Sequence, residues 1–344
     1  MSQAPTTSVR EADRRWMSAA LALAERGVGR TQPNPSVGCL IVSEGVVVGR
    51  GWTQPGGRPH AEAMALAEAG DRARGATAYV TLEPCAHVSP RGPACTDLLI
   101  AAGLARVVIA AHDPDPRTDG DGIRRLTVAG IAVTVGVGEA AAIDQQAGFR
   151  CRLRLGRPQV TLKLATSLDG RIALASGESR WITGAQARAH AHLERAHHDV
   201  ILIGRGTLEA DDPALDVRLP GLENRAPRPL VASTTLAAIP PALRLSGRAT
   251  VAPEADPAAL LARLGGEGVL RVLVEGGAGL ATSLLKADLV DRLLWYTAPV
   301  LLGRGRDAVG DLGLARLADA HGRWRRIEDS VLGVDRLAVF ARIR

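Results

Sequence analysis

"RPHAEAMALAEAG", residues 58–70, sets His60 and Glu62 two positions apart at the point where an alanine-rich helix begins. A strand, "AYVTLEP", follows, and then "TLEPCAHVSPRGPAC" (residues 81–95) places Cys85 and Cys95 among prolines and a glycine. The chain has only four cysteines, so two in one short loop invite a chemical reading. The helix-then-strand order around these residues also sets the fold class, because a strand leaving such a helix must find sheet neighbours to cover it.

Working outward, the neighbours are present. Residues 11–27 carry helix periodicity through Trp16, Ala20, Leu21, Leu23 and Ala24, and "SVGCLIVSEGVVVGRGW" predicts two strands joined by a tight turn at Ser43 to Gly45. Downstream, "CTDLLIAAG" predicts a helix, "ARVVIAAHD" a strand, "GDGIRRLTVAG" a helix and "IAVTVG" a strand. The expected result is an α/β layer of about five strands covered by helices. "GFRCRLRLGRP" (148–158) then breaks the pattern with four arginines, which puts a domain boundary at 150/151. A second alternation of strands ("DVILIG", "RPLVAS", "RVLVEGG", "RLLWYTAPVLLG", "DRLAVFARI") and helices fills 151–344, so two α/β domains are expected.

One imidazole and two thiols supply the three protein ligands of a catalytic zinc, whose fourth position is left for a water that the ion acidifies. His60, Cys85 and Cys95 are the candidate ligands, and cysteines at or near helix starts favour the thiolate form. Glu62 stands too close to His60 in sequence to join them easily, but it can carry a proton to a leaving amine. His-x-Glu followed by Pro-Cys and a second Cys is the pattern of zinc deaminases. Nine residues separate the cysteines here, whereas nucleic-acid deaminases use two. Two plainer readings stand beside this one: a surface His-Glu pair with packed thiols, and a structural zinc with His87 as fourth ligand. Cys39 and Cys151 lack a partner motif and are expected to pack.

The net charge of +6 suits an anionic partner, but 40 of 42 basic residues are arginines spread through both halves, and the chain has two Tyr and two Phe. A strand-binding face is not indicated, so a small phosphorylated ligand fits better than nucleic acid. The polar start MSQAPTTSVREADRRW has no signal-peptide core, and no later run approaches the length of a membrane span. A cytoplasmic protein with reduced cysteines and no membrane partner is expected. In the second half, "VEGGAGLATSLL" is a strand, Gly276, Gly277 and Gly279, and then a helix, a geometry that presents N–H groups to phosphate; such turns also serve close packing alone. No G-x-G-x-x-G follows a first strand, so the ordinary dinucleotide fold is not indicated.

Together, "TQPNPSVGCLIV", "PHAEAMAL", "YVTLEPCAH", "CTDLLIAAG" and "DPDPRTDGDGIRRL" resemble the deaminase half of the bifunctional deaminase/reductases of riboflavin biosynthesis. "KLATSLDGRIALASGESRWITGAQAR", "VILIGRGTLEADDPALDVR", "VEGGAGLATSLL" and "LVDRLLWYTAPVLLG" are similar in order and spacing to that family's reductase half. The resemblance implies a cytidine-deaminase-like three-layer α/β domain followed by a dihydrofolate-reductase-like α/β domain, with Zn2+ and NADPH as cofactors and a phosphorylated pyrimidine as substrate. It implies a homo-oligomer. Asn34 matches the family's substrate-pocket asparagine, although a turn asparagine is also possible. By position, Ala165, Trp181, Thr207, Asp211 and the run Gly277, Ala278, Gly279, Leu280, Ala281, Thr282 and Ser283 would line the NADPH site. Ser179, Arg195, Leu215, Arg218 and Glu275 would hold the substrate, with Arg195 and Arg218 suited to its phosphate and Lys163 and Asp211 near the reacting carbon. The chain departs from the family pattern in a cysteine loop longer by one residue at Pro90, Arg91 and Gly92, in "LVAST" for Val-Leu-Asp-Ser, and in Arg292 for the acid of LVDEL, read as a surface change. The competing readings are a nucleic-acid deaminase with an accessory domain and a second half that binds a nucleotide without reducing anything.

Overall fold

A computed structural model describes residues 7–344; residues 1–6, the front of the polar start, lie outside the described residues. The chain divides into two compact units, one through Leu155 and the other from Gly156.

The first unit runs α1 (Thr7–Glu25), β1 (Gly38–Ser43), β2 (Val46–Trp52), α2 (Ala61–Ala69), β3 (Thr77–Val80), α3 (Cys95–Ala101), β4 (Arg106–Ile109), α4 (Asp121–Val128), β5 (Ala132–Val135), α5 (Glu139–Gln145) and α6 (Ala147–Leu155). Its five-stranded sheet has the order β2-β1-β3-β4-β5. β1 is antiparallel to β2 and β3, and β3, β4 and β5 are parallel. The β1–β2 turn falls on Glu44 and Gly45, both at positive φ (49° and 77°), as a two-residue hairpin requires. Met17 and Ala20 of α1 pack against Leu40, Val42, Tyr79 and Val108 of the sheet.

Glycines bring α2 close to β2. A Cβ at Gly49 would lie 2.1 Å from Ala65 O, and one at Gly51 2.2 Å from Ala61 O. Alternate strand residues share a face, so both glycines receive the Ala61, Ala65 and Ala69 stripe of α2, which is fully or nearly fully buried. Gly51→Ala should therefore cost the first unit about 1–3 kcal/mol, as overpacking typically does, and displace the helix start that carries His60 and Glu62. A lowered urea midpoint of that unit would show it; an unchanged midpoint would mean that α2 lies more loosely on β2 than these distances require.

The arginine-rich stretch read as a break is instead helical as α6. Its few apolar positions hide the periodicity, but Arg152 and Arg154 sit in the last turn, where cations suit the helix dipole. Gly156, at φ 68°, ends it.

The second unit runs β6 (Gln159–Thr166), β7 (Arg171–Leu174), α7 (Ala185–Ala196), β8 (Val200–Gly204), α8 (Arg205–Asp211), β9 (Arg228–Ala232), β10 (Thr250–Ala252), α9 (Pro257–Gly266), β11 (Arg271–Val274), α10 (Ala278–Lys286), β12 (Arg292–Thr297), β13 (Gly305–Asp307), β14 (Trp324–Leu332) and β15 (Asp335–Arg342). Eight strands form one sheet, β10-β9-β8-β11-β6-β12-β15-β14, and β7 pairs with β13 apart from it. The parallel strands read as continuous apolar runs because both faces are covered. Val200 and Leu202 join the cluster with Leu260, Leu264 and Leu284, while Ile201 and Ile203 join Leu208 and Leu245.

β10, β13 and β14 lack a clear sequence signal. β14 is an edge strand, largely exposed and charged, which hides the alternation that marks half-buried strands. "QVTLKLATSLDGRIA" divides into β6 and β7 at Asp169, whose carboxylate accepts the Leu302 and Gly303 N–H groups (3.1 and 2.7 Å) and the Ser167 hydroxyl (2.6 Å). Arg292 is no surface change. Its guanidinium lies 3.4 Å from the carboxylate of Glu194, which is buried, and so offsets a charge that could not stand alone there.

Candidate functional site

In the first unit, His60 is the N-cap residue of α2, Glu62 lies in its first turn and Cys95 is the first residue of α3. Cys85 is in the loop after β3 rather than at a helix start. Its sulfur nevertheless accepts the Cys95 N–H (3.3 Å), so the α3 terminus reaches it through space. His60 Nδ1 is 3.3 Å from Cys95 Sγ and 3.7 Å from Cys85 Sγ, and the three donor atoms lie within 4.8 Å of one another. Asn34 Nδ2 stands 3.1 Å from His60 Nε2 and donates to Gly57 O (2.8 Å), which fixes the ring with Nδ1 toward the sulfurs. Hydrogen bonding from the Cys95 thiol, aided by His60, holds the Cys85 thiol well below its usual range despite burial.

Among the described residues, the cluster has three donor side chains. His87 is not one of them: its Nδ1 faces Thr118 Oγ1 at 3.4 Å. Two buried thiols and an imidazole nitrogen are the donor set that zinc prefers, and three protein donors suit a catalytic rather than a structural ion. Glu62, 4% exposed, is pushed above the ordinary carboxylate range chiefly by burial, with the His60 charge opposing. It shares a cavity of about 320 Å³ with Asn34, His60 and Cys85. Glu83, two residues before Cys85, is fully enclosed and accepts the N–H groups of Asp113 (3.3 Å), Gly120 (3.2 Å) and Ile123 (3.1 Å), which ties the cysteine loop to the start of α4. Asp113 and Asp115 also line the cavity, and sequence reading quoted their "DPDP" motif without giving either a role. Asp113 is raised to about 7, chiefly by burial.

The second unit has a cavity of about 460 Å³. Lys163, Ala165, Ser179, Trp181, Arg195, Thr207, Asp211, Leu215, Arg218, Glu275 and Gly277 all line it. Of the run after Gly277, none lines it. Ala281 is enclosed in the core, Leu280 packs against it, Thr282 accepts the Gly310 N–H, and Ala278, Gly279 and Ser283 lie outside the lining. Gly277 caps α10, and its N–H donates to Thr207 Oγ1 (3.0 Å). The "LVAST" segment also lies outside this cavity; there Ser233 Oγ accepts the Thr235 and Leu236 N–H groups.

Arg195 is not free to clamp a phosphate. Its Nε and Nη2 donate to the two Glu275 oxygens (2.6 and 2.9 Å), and Nη1 donates to Asp216 O (2.9 Å). Burial alone would raise the Glu275 carboxyl, but Arg195 outweighs it and holds the group at about 2. Lys163 Nζ lies 4.0 Å from the same carboxylate. Arg218 is over half exposed and pairs with Asp216 (2.7 Å), so it can turn to a ligand. His192, which sequence reading passed over in an ordinary helical run, lines the cavity and contacts Asp216 O at 3.0 Å.

The deaminase zinc-binding family ("Cytidine and deoxycytidylate deaminase zinc-binding region") matches residues 10–111, and the "RibD C-terminal domain" family matches residues 158–331. The riboflavin biosynthesis protein RibD of Escherichia coli (strain K12) is 43% identical over 345 residues, covering 90% of this chain and 94% of that protein. The RibD of Aquifex aeolicus (strain VF5) is 37% identical over 358 residues, covering 97% and 99%. Among solved structures, Acinetobacter baumannii RibD (form 1) has a TM-score of 0.88 at 35% identity over 97% of this chain and all of that one. A diaminohydroxyphosphoribosylaminopyrimidine deaminase/5-amino-6-(5-phosphoribosylamino)uracil reductase from Thermotoga maritima has a TM-score of 0.86 at 29% identity, covering 97% and 99%.

Proposed function

The chain belongs to the RibD family, the two-domain enzymes of riboflavin biosynthesis that pair a cytidine-deaminase-like unit with a reductase unit, and from that premise we propose how its residues divide the work. The enzyme is both a deaminase and a reductase, acts on a phosphorylated pyrimidine, and uses Zn2+ and NADPH. The unit through Leu155 deaminates and the unit from Gly156 reduces. One observation carries the first assignment: three metal donors converge, and two of them, His60 and Cys85, share a cavity with a buried carboxyl that is not among them.

His60, Cys85 and Cys95 hold the zinc, which when bound supplies an acidified water. Asn34 keeps the His60 ring in place and offers its amide to the pyrimidine edge. Glu62 takes a proton from the attacking water and delivers it to the 2-amino group, which leaves as ammonia while the ring carbon gains an oxygen.

NADPH, when bound, would supply the hydride that the reduction of the ribosyl side chain needs. In the second unit, Gly277 and Thr207 would hold the cofactor's phosphates, and Ala165, Trp181 and Asp211, which line the same cavity, would hold the rest of it. Glu275, kept ionised by Arg195, draws Lys163 toward the reacting carbon, and Ser179 and Leu215 complete the substrate side. The protein's part is to orient the two carbons and steady developing charge.

With Arg195 committed to Glu275, the sugar phosphate falls to Arg218. A charge-assisted contact is worth about 1.5–3 kcal/mol. Arg218→Ala should therefore raise KM for the deaminated substrate roughly ten- to a hundredfold while leaving NADPH binding and deamination nearly unchanged. Weakened NADPH binding with a normal substrate KM would put this arginine in the cofactor site instead.

The proposal extends to a cytoplasmic homo-oligomer without nucleic-acid or membrane partners. The four cysteines form no disulfide, and among the described residues no helix is long and apolar enough to cross a membrane. Incubating the purified protein with the diaminopyrimidinone ribosyl phosphate, with and without NADPH, and weighing the products tests the whole scheme. Deaminated product should form without NADPH, and the ribityl compound only with it. Deamination with no consumption of NADPH would reduce the second unit to a nucleotide-binding module.

A further inference from the structure

The lengthened cysteine loop folds onto the segment just before His60. Ser89 and Gly92 close its tip with reciprocal backbone hydrogen bonds (3.3 and 3.0 Å), and Arg91 Nη2 donates to Gly56 O (2.6 Å). Arg58 lies beneath that tip. A Cβ at Gly92, where φ is 144°, would stand 2.8 Å from Arg58 Nη1, which places the guanidinium directly under the loop tip.

Arg58 and Arg91 line the same cavity as Glu62 and His60, together with Arg117 and with Arg152, which is itself engaged. Their donors are not equally available. Arg117 is bound to Asp115 through Nε (2.9 Å) and Nη2 (2.5 Å), and Arg91 is engaged by Gly56 O. The half-buried Arg58 has no carboxylate or carbonyl partner among the described residues. Nor do the nearby acids need it: Glu83 is filled by three backbone N–H groups and Asp115 by Arg117. A guanidinium left with its donor fork unspent inside a ligand cavity suits a divalent oxyanion, which it can hold through two oxygens at once.

We propose that Arg58 binds the 5′-phosphate of the substrate in the deaminase cavity and so makes this unit select the phosphorylated compound over its nucleoside. The inference rests on the deaminase reading above. Arg58 stands two residues before His60, so phosphate capture and ring placement at the metal donors are set by the same stretch of backbone.

The test compares deamination of the ribosyl phosphate and of the corresponding dephosphorylated nucleoside by the wild type, Arg58→Ala and Arg58→Lys, with zinc content measured on each. Arg58→Ala should raise KM for the phosphate by about ten- to a hundredfold, leave kcat, zinc and the nucleoside KM nearly unchanged, and so erase the preference. Arg58→Lys, which keeps the charge without the fork, should fall between. An unchanged KM for the phosphate would overturn the proposal, as would an equal rise for both substrates or a loss of zinc, since each makes Arg58 a support for the loop. Arg58→Gln, closer in length, decides the matter if the alanine variant folds poorly. A wild type that holds zinc and deaminates neither compound would instead refute the deaminase reading itself.

Discussion

Replacing Cys85 by serine is expected to yield a protein without bound zinc and without measurable deamination that still oxidises NADPH on deaminated substrate. A serine hydroxyl does not ionise near neutral pH, so the site loses one anionic donor and its longer, softer bond to the metal. The sulfur also ties the cluster together, accepting the Cys95 N–H at 3.3 Å and standing 3.7 Å from His60 Nδ1. The shorter, neutral side chain can do neither as well. Reduction should continue because the second unit is a compact body with its own core. Metal analysis beside separate assays of the two steps reads the outcome, and a strong chelator should have the same selective effect on the wild type, reversed by added zinc. Full zinc content in Cys85→Ser would remove Cys85 from the ligand set.

Glu62→Gln should keep the zinc and lose deamination by about two to four orders of magnitude, the usual contribution of a positioned proton carrier. The amide has the shape of the carboxyl but cannot accept a proton from water and return it to the departing amine. The site makes this substitution informative: Glu62 is enclosed and neighbours Cys95, yet it is not one of the three donors that converge. If zinc and activity fell together, Glu62 would be a ligand. Activity retained with zinc in place would send the proton through another group, and Asp113, enclosed in the same cavity, would be the next to replace.

Much of the first unit was legible because its information is local. A two-residue turn with a glycine, a helix start carrying His-x-Glu and a Pro-Cys after a strand are short-range patterns whose geometry follows from a few dihedral preferences. β14 and α6 were not legible, for a shared reason. Their charged residues mask periodicity, and each is held by what lies beside it: β14 by its ladder with β15, and α6 by burial of Gly148 and Phe149 and by cations at its C-terminal end.

What sequence by itself determined is which chemical groups the protein owns and where helices present them: an imidazole, two thiols, one glutamate two residues from the histidine, and a glycine turn before α10. Which of those groups is free to act was decided by tertiary structure. Arg195 looked like a phosphate clamp until Glu275, 80 positions away, was found to take its fork. Arg292 looked like surface until Glu194, 98 positions away, was found beneath it. The α10 residues after Gly277 looked like one cofactor strip, but helical rotation sends Ala281 into the core. Arg58 carried no signal, and its availability follows from its having no carboxylate or carbonyl partner among the described residues. A side chain's identity is written in the chain, but how its hydrogen bonds and charge are spent depends on neighbours that only folding supplies.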